Sequence, residues 1–527
     1  MARRLHLMLV LLLFPLVSLA DTYPRQHGID VVHYTFRLSV SDANNEIQGE
    51  ATVDVRFVEP GIRSVNLDLN SKGMIVDSAS VAHTHVNGIL KLNVDPPSKG
   101  GDDRRQFTIK YHGTPQGGLR IIKNKYDDRV FFSENWPNKA RHWLPMVDHP
   151  YDKATSEFLI TAPSQYQVIS NGLLQEETDL GNGTRLTHWK QSIPIASWLN
   201  AIGIAEFSVH HAGSVRGVEL QTWVYRQDRE TGPAWFEPTS RQAMEFFSDY
   251  VGRYSYEKLA NVEAAGFGGG TEHASAIFYG EKSILGERQG TGLIAHEIAH
   301  QWFGNSVTEK DWDDVWLSEG FATYFTLLFA EHYQGRDAFV AGLKLSRERI
   351  LTMEKEHPDW TVRHQNLSDM TKVLTRLIYE KGGWTLHMLR SIMGSDRFRN
   401  GIHNYYRLYS NGSASTTDFR RIMETASRME LDWFFDQWLN RAGSPNIEGT
   451  WTYDGAARQI RIELAQTQPG QPYRLPIEIA VGPDRIERLE MTNQRQVWTF
   501  PSNVDPVEIK VDPKTNLLAT FQFDHKP

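Results

Sequence analysis

Positions 296–300 read His-Glu-Ile-Ala-His, and a further glutamate follows at Glu319. This pattern restricts the fold more than any other feature of the chain. On an α-helix His296 and His300 stand one turn apart on the same face, so both imidazoles reach a single ion. Glu297 is rotated by about 100° from His296 on that helix, which sets it beside the ion and not on it. From there its carboxylate can take a proton from a metal-bound water. Glu319, on a following helix, completes a two-His, one-Glu ligand set. Three protein ligands leave one coordination position open, as a catalytic zinc requires and a structural zinc does not. The flanks agree. Gly292-Leu-Ile-Ala295 opens a helical run, Trp302 and Phe303 add apolar bulk, and Gly304-Asn305 signals a stop. Glu319 leads into a second apolar helix through Phe325, Leu327 and Leu328. One catalytic zinc ion per chain is expected.

The rest of the chain is read around those two helices. At 527 residues it exceeds what one hydrophobic core usually serves, so two to four domains are expected. Residues 1–20 stand apart. Arg3 and Arg4 precede an apolar stretch from Leu7 to Val17, and Ser18-Leu-Ala20 offers small residues for cleavage. This is the pattern of a secretory signal peptide, too short in its apolar run for the roughly 20 residues of a membrane span. With no second hydrophobic span, no stable membrane insertion is expected after cleavage. The chain has no cysteine, which excludes thiolate nucleophiles, Cys-rich zinc sites and iron–sulfur clusters. An exported protein without disulfides depends on core burial, and a periplasmic or secreted location fits. The net charge of −8 offers no footprint for nucleic acid.

From 21 to 224 the texture is β. Tyr34, Phe36, Leu38 and Val40 alternate with polar neighbours, as do Val53, Val55 and Phe57, which indicates antiparallel sheets exposed on one side. Helical spacing takes over from 225 to 444, with Thr239-Ser240 as N-cap candidates ahead of Met244, Phe247 and Val251. Alternation returns from 445 to 527 in Ile460/Ile462/Leu464, Leu475/Ile477/Ile479/Val481 and Val507/Ile509/Val511, the pattern of a small β-sandwich. The chain is expected to end there, without a further helical domain. The fold class is therefore multidomain α+β, with a β N-terminal domain, a mostly helical zinc domain and a C-terminal β-sandwich.

Two further segments bear on the site. Gly268-Gly-Gly-Thr-Glu-His273 brings backbone within close reach of a ligand and adds the charge of Glu272. A hydrolase that cuts only at a free N-terminus needs such a carboxylate to hold the ammonium group, and a glycine-rich edge strand can pair with an extended peptide. A plain turn with a solvated glutamate accounts for the same residues. Tyr379 lies in Leu377-Ile-Tyr-Glu-Lys-Gly-Gly-Trp384, where two glycines inside a helix cost about 1 kcal/mol each and point to close packing or a kink. On these residues alone Tyr379 is a packed aromatic; a hydroxyl there can also donate to an oxyanion.

Taken together, these residues resemble the M1 family of zinc aminopeptidases, the gluzincins. His296-Glu-Ile-Ala-His-Gln-Trp-Phe-Gly304 and Trp316-Leu-Ser-Glu-Gly-Phe-Ala322 resemble the family's metal-binding helices. Tyr379-Glu-Lys-Gly-Gly-Trp-Thr-Leu-His-Met-Leu-Arg390 resembles the segment with its transition-state tyrosine. Ala140-Arg141 through Pro145, Asp148 and Pro150 to Lys153-Ala-Thr155 resembles an N-terminal domain signature. The resemblance implies a saddle-like N-domain, a thermolysin-like catalytic domain and a β-sandwich. It implies that His296, His300 and Glu319 bind zinc, that Glu297 is the general base and that Tyr379 stabilises the oxyanion. Gly269, Gly270 and Glu272 fall where the family's exopeptidase motif binds substrate backbone and amine. The chain departs from the pattern at Thr271, which replaces a methionine near the first specificity pocket, and at His273, which replaces an asparagine. Trp136 stands where many members carry a second amine-binding residue, with Glu134 two positions earlier as a helper and Trp136 as an apolar wall.

The expected function is that of an exported zinc metallo-aminopeptidase acting on peptides. A zinc endopeptidase with an open cleft, and a non-catalytic peptide-binding protein, are the alternatives. Substrates with free and acetylated N-termini separate the first two, and zinc content with turnover separates both from the third. Preferred residue, peptide length and oligomeric state are not written in the sequence.

Overall fold

The computed structural model describes residues 21–283, 290–363, 367 and 369–526. The leader expected at residues 1–20 lies outside them. No helix among the described residues is long and apolar enough to cross a membrane.

The alternation near the start of the chain builds a seven-stranded sheet. Its order is Leu173–Asp179, Thr184–Ala196, Lys153–Pro163, Ile29–Ser39, Ile47–Phe57, Asp103–Gly113 and Met74–Ala79. Tyr34, Phe36, Leu38, Val53, Val55 and Phe57 all point inward and are buried. One neighbour pair departs from the antiparallel expectation: Ile29–Ser39 runs parallel to Lys153–Pro163, with Phe36 opposite Phe158. Alternation reports which face is buried but not the direction of the partner. A second, four-stranded sheet contains Arg129–Glu134 and Ile202–Ala205. The two sheets close over one core that includes Phe36, Phe132, Trp143 and Ile204. Each such side chain contributes about 1.5–3 kcal/mol through burial.

The change of texture near Tyr225 falls inside a sheet, not at its edge. Phe207–Val215 and Val218–Tyr225 pair with each other. They continue through Lys258–Ala264 and Ala276–Gly280 to the short edge strand Gly270–Thr271. Helix α1 (Gly232–Tyr250) follows the second of these strands and carries Pro233 in its first turn, where the missing N–H costs nothing. It begins well before Thr239-Ser240, which are buried within it and cap nothing. Ser240 instead accepts a hydrogen bond from Asn261 at 3.0 Å. Burial of Phe236 and the early proline outweigh the local capping signal.

Helices α2 (Gly290–His300), α3 (Trp316–Gln334) and α4 (Arg336–Glu356) form the heart of the helical region. A π-helical turn at Leu377–Lys381 leads into α5 (Gly382–Met393). The glycine pair expected to pack closely or kink packs closely. Gly320 of α3 lies against Gly382, where a Cβ would come within 3.0–3.1 Å of the facing backbone. The turn itself is wound to the wider π spacing.

The C-terminal region is a sandwich of a four-stranded sheet containing Asn446–Asp454 and Gln459–Gln466 and a three-stranded sheet containing Leu475–Val481. Ile460, Ile462, Leu464, Leu475, Ile477 and Ile479 meet inside. Val507, read as part of the last strand, is instead fully exposed, and that strand starts at Ile509. The sandwich core is continuous with that of the helical region.

Candidate active site

Helices α2 and α3 cross so that His296, His300 and Glu319 converge. The Nε2 atoms of the two histidines lie 3.1 Å apart. Glu319 Oε2 is 3.4 Å from the first and 3.2 Å from the second. Bonds of about 2.0–2.1 Å to a tetrahedral zinc place its ligand atoms about 3.3 Å apart, which is the spacing found. His300 Nδ1 lies 3.1 Å from the Phe303 carbonyl and donates to it, leaving the Nε2 lone pair for a metal. Ser318 Oγ is 3.2 Å from the same Nδ1. Two imidazole lone pairs and a carboxylate oxygen facing one point suit a cation, and the donor set suits zinc. Burial opposes a positive charge on His300, whereas Glu319, Glu272 and Glu297 draw one onto it and raise its pKa, a pull that a bound cation would answer in place of a proton. The site thus carries an excess of negative charge that a dication would neutralise.

The turn after α2 keeps this geometry. Gly304 has φ of +106°, and a Cβ there would collide with Ser318. Lys153, from the expected N-domain signature, donates from Nζ to the carbonyls of Asn305, Ser306 and Gly412, each at 3.0 Å. Arg141 of the same signature pairs with Asp148 at 3.0 Å, Asp148 being completely buried. Lys153 thus joins the β domain to the turn that ends α2, while Arg141 and Asp148 brace the β domain itself.

Glu297 faces the glycine-rich edge strand. A Cβ on Gly270 would run into the Glu297 carboxyl group, so this position demands glycine. Burial, reinforced by Glu272 and Glu319, pushes Glu297 well above the ordinary glutamate range. Glu272 follows the edge strand and is only 5% exposed. Its Oε1 has no hydrogen-bond partner among the described residues. Burial, together with Glu319 and Glu134, raises its pKa to about 7. The backbone beneath it is tied down from α2 and its turn. Gln301 Nε2 donates to the Glu272 carbonyl at 3.0 Å, and Asn305 Nδ2 donates to the same oxygen. Gln301 Oε1 accepts from the Ser275 N–H at 2.9 Å. Gln301 lies inside the quoted metal-helix run and was not singled out from sequence, and Asn305 was read only as part of a stop signal.

Tyr379 donates its hydroxyl to Glu319 Oε1 at 3.0 Å. Burial, then Glu319, raises its pKa well above that of a free phenol, so it is a proton-bearing donor. The packed aromatic and the polar donor are one residue here, because the π turn directs the ring inward.

The remaining expected residues are distributed differently. Gly269, Gly270, Glu272, His296, Glu297, His300, Glu319 and Tyr379 line one cavity of about 810 Å³. Glu134, Trp136 and Thr271 are not in its lining. Glu134 lies on the Glu272 side, with its carboxylate held by Arg120 at 2.8 Å and Lys139 at 2.9 Å. Trp136 stacks edge-on against Trp312 at 5.2 Å. Thr271 is buried and pairs with Phe278 across the edge strand. His273 is fully buried, and burial lowers its pKa to about 4, so it is neutral.

Two family models match the chain. The peptidase M1 N-terminal domain matches residues 31–199, and the peptidase family M1 domain matches residues 236–438. Glutamyl aminopeptidase of Rattus norvegicus is 25% identical over 407 residues, covering 73% of this chain and 42% of that protein. Glutamyl aminopeptidase of Bos taurus is 30% identical over 366 residues, covering 66% of this chain and 38% of that protein. The chain thus spans less than half the length of these relatives. An M1 zinc metallopeptidase from Deinococcus radiodurans superposes with a TM-score of 0.69 at 26% identity, over 80% of this chain and 97% of that one. Aminopeptidase A of Legionella pneumophila, solved with aspartic acid, shares the fold with a TM-score of 0.83 at 16% identity, over 97% of this chain and 61% of that one.

Proposed function

The chain belongs to peptidase family M1, and from that premise we propose that it is an exported zinc aminopeptidase that removes N-terminal residues from peptides. The observation that carries the reading is Glu272. A buried carboxylate with an unpartnered oxygen, at the end of a glycine-rich edge strand and in the same cavity as the metal ligands, is built to receive a cation from the substrate. A peptide's terminal ammonium is that cation. The unpaired edge of Gly270–Thr271 offers backbone groups to an extended chain, which sets the first peptide bond beside Glu297.

His296, His300 and Glu319 would hold the zinc, whose chemistry is to polarise a carbonyl oxygen and to make water acidic near neutral pH. Glu297 then takes the proton from the attacking water and delivers it to the departing amine. Its packing against Gly270 fixes it next to the bound backbone. The Tyr379 hydroxyl donates to the carbonyl oxygen as negative charge grows on it, and Glu319 orients that hydroxyl beforehand. Glu272 accepts from the ammonium group and sets the register, so that only the first bond reaches Glu297. Glu134 is occupied by Arg120 and Lys139, which leaves the amine to Glu272.

Export rests on the charged, apolar and small-residue stretches of residues 1–20. It is tested by sequencing the N-terminus of protein recovered outside the cytoplasm, where Asp21 is the expected first residue. For the activity, the purified protein is assayed for zinc and for products from a free decapeptide. About one zinc per chain and stepwise N-terminal trimming, lost on chelation and restored by zinc, are expected. Internal cleavage would favour the endopeptidase, and zinc without turnover the peptide-binding protein.

A further inference from the structure

Eight charged or imidazole side chains line the active-site cavity: Glu272, His296, Glu297, His300, Glu319, Arg349, Arg376 and Glu380. The other seven are already accounted for. His296, His300 and Glu319 form the ligand set, Glu297 is the base and Glu272 takes the amine. Glu380 is held by Arg349 at 2.8 Å, so these two cancel. Arg376 is left over. It is exposed, and it makes no hydrogen bond, ion pair or ring contact among the described residues.

Its position gives that charge a direction. Arg376 begins the helical segment that carries Tyr379, about one turn ahead of it and so on the same side. Helix α4 packs against this π turn and against α3, whereas the edge strand packs on α2. The cavity therefore runs from Gly269 and Glu272, past the ligands and Tyr379, to a wall made by Thr323, Leu327, Leu345 and Ser346 with Arg376. Glu134 and Thr271 lie outside the lining, on the Glu272 side. A peptide fixed by its amine at Glu272 thus extends toward α4, and the part beyond the first bond reaches Arg376.

Resting on the aminopeptidase reading, we propose that Arg376 is a specificity-determining residue that binds a substrate carboxylate downstream of the cleaved bond. Two sources supply that chemistry, the α-carboxylate of a short peptide and the side chain of an acidic second or third residue. A guanidinium receives either one through two parallel N–H donors. Because Arg376 is exposed, the effect is modest, about three- to tenfold. It falls on KM more than on kcat, since the carboxylate is far from the reacting carbonyl and is bound equally in ground and transition states.

The test uses peptides that share one first residue. Kinetics at low salt compare a free-acid dipeptide with its amide, and an amidated tripeptide with Glu at the second position with its Gln counterpart. The enzyme is the zinc-loaded full chain, as wild type, Arg376→Ala and Arg376→Glu. Wild type should favour the carboxylate member of at least one pair by about three- to tenfold in kcat/KM. The ratio should fall to about one in Arg376→Ala and invert in Arg376→Glu. A preference in the free-acid pair alone assigns the contact to the peptide C-terminus, and in the Glu pair alone to a side chain. Equal ratios in wild type and Arg376→Ala would overturn the proposal, as would an Arg376-dependent preference confined to the first residue. The neutral peptides keep the two readings apart. If wild type does not cleave them, the aminopeptidase reading itself fails; if it cleaves them without a charge preference, only Arg376 does.

Discussion

At one end of the cavity Glu272 is 5% exposed, its backbone held by Gln301 and Asn305 and its carboxylate left without a partner. At the other end Arg376 is exposed, carried on the segment that leads into a π turn and without a partner among the described residues. Both are single unpaired charges of opposite sign in one cleft. They differ in what surrounds them. A desolvated charge in a fixed place makes large demands on the group that meets it, because an unmet partner leaves it stranded in low dielectric. An exposed charge is screened by water and salt, and makes only small distinctions. On the proposed reading, the amine end decides where a peptide is cut and the far end adjusts how well different peptides bind.

The largest effects should arise between the two ends, where the chemistry occurs. Glu297→Gln leaves the three ligands in place and removes the base, so kcat should drop by about 10²–10⁴-fold with zinc retained. Near wild-type turnover in a zinc-replete variant would remove Glu297 from its role. Tyr379→Phe keeps the ring packing and deletes one donor, and kcat should fall by about 10²–10³-fold with little change in KM. An unchanged kcat would make Tyr379 a packing residue only.

Smaller effects should separate the ends. Gln301→Leu strips support from the Glu272 and His273 carbonyls and the Ser275 N–H. Each buried group left unmet costs about 1–3 kcal/mol, so both the melting temperature and kcat/KM should fall, the latter by about tenfold or more. Unaltered kcat/KM would show that the amine end does not need this brace. The smallest effect is one of salt. Raising ionic strength from about 0.05 to 0.5 M shortens the Debye length from roughly 14 to 4 Å. Any Arg376-dependent preference should shrink, while discrimination between free and acetylated N-termini should persist. If both declined together, the contrast between a buried and an exposed charge would be wrong.

Much of the candidate site's residue set was legible in the sequence. His296, Glu297, His300 and Glu319 are set by helical periodicity and local stop signals, which act over a few residues. The glycines before Glu272 pointed to backbone close to a ligand, and what Gly270 meets in the fold is the Glu297 carboxyl group. Tyr379 was ambiguous because its role depends on a π turn and on Gly320 meeting Gly382, contacts between segments far apart in the chain. Glu134 looked free for the amine until Arg120 and Lys139 were seen on it. Thr239-Ser240 carried the right residues for a cap, but tertiary burial of Phe236 started α1 earlier. Arg376 carried no signal at all, since being unpaired is a property of three-dimensional surroundings.

The most direct test of the account is whether Glu272 restricts cleavage to a free N-terminus. Matched free and N-acetylated decapeptides are digested by zinc-loaded wild type and by Glu272→Ala, and the products are followed by mass spectrometry. Wild type should trim the free peptide stepwise and leave the acetylated one at least about a hundredfold slower, the loss expected when a buried charge goes unpaired. In Glu272→Ala that gap should close to within about tenfold, mainly because trimming of the free peptide slows. Internal cleavage of the acetylated peptide by wild type, at a rate comparable to N-terminal trimming, would contradict the account and favour an endopeptidase. An undiminished gap in Glu272→Ala would move amine recognition to another residue.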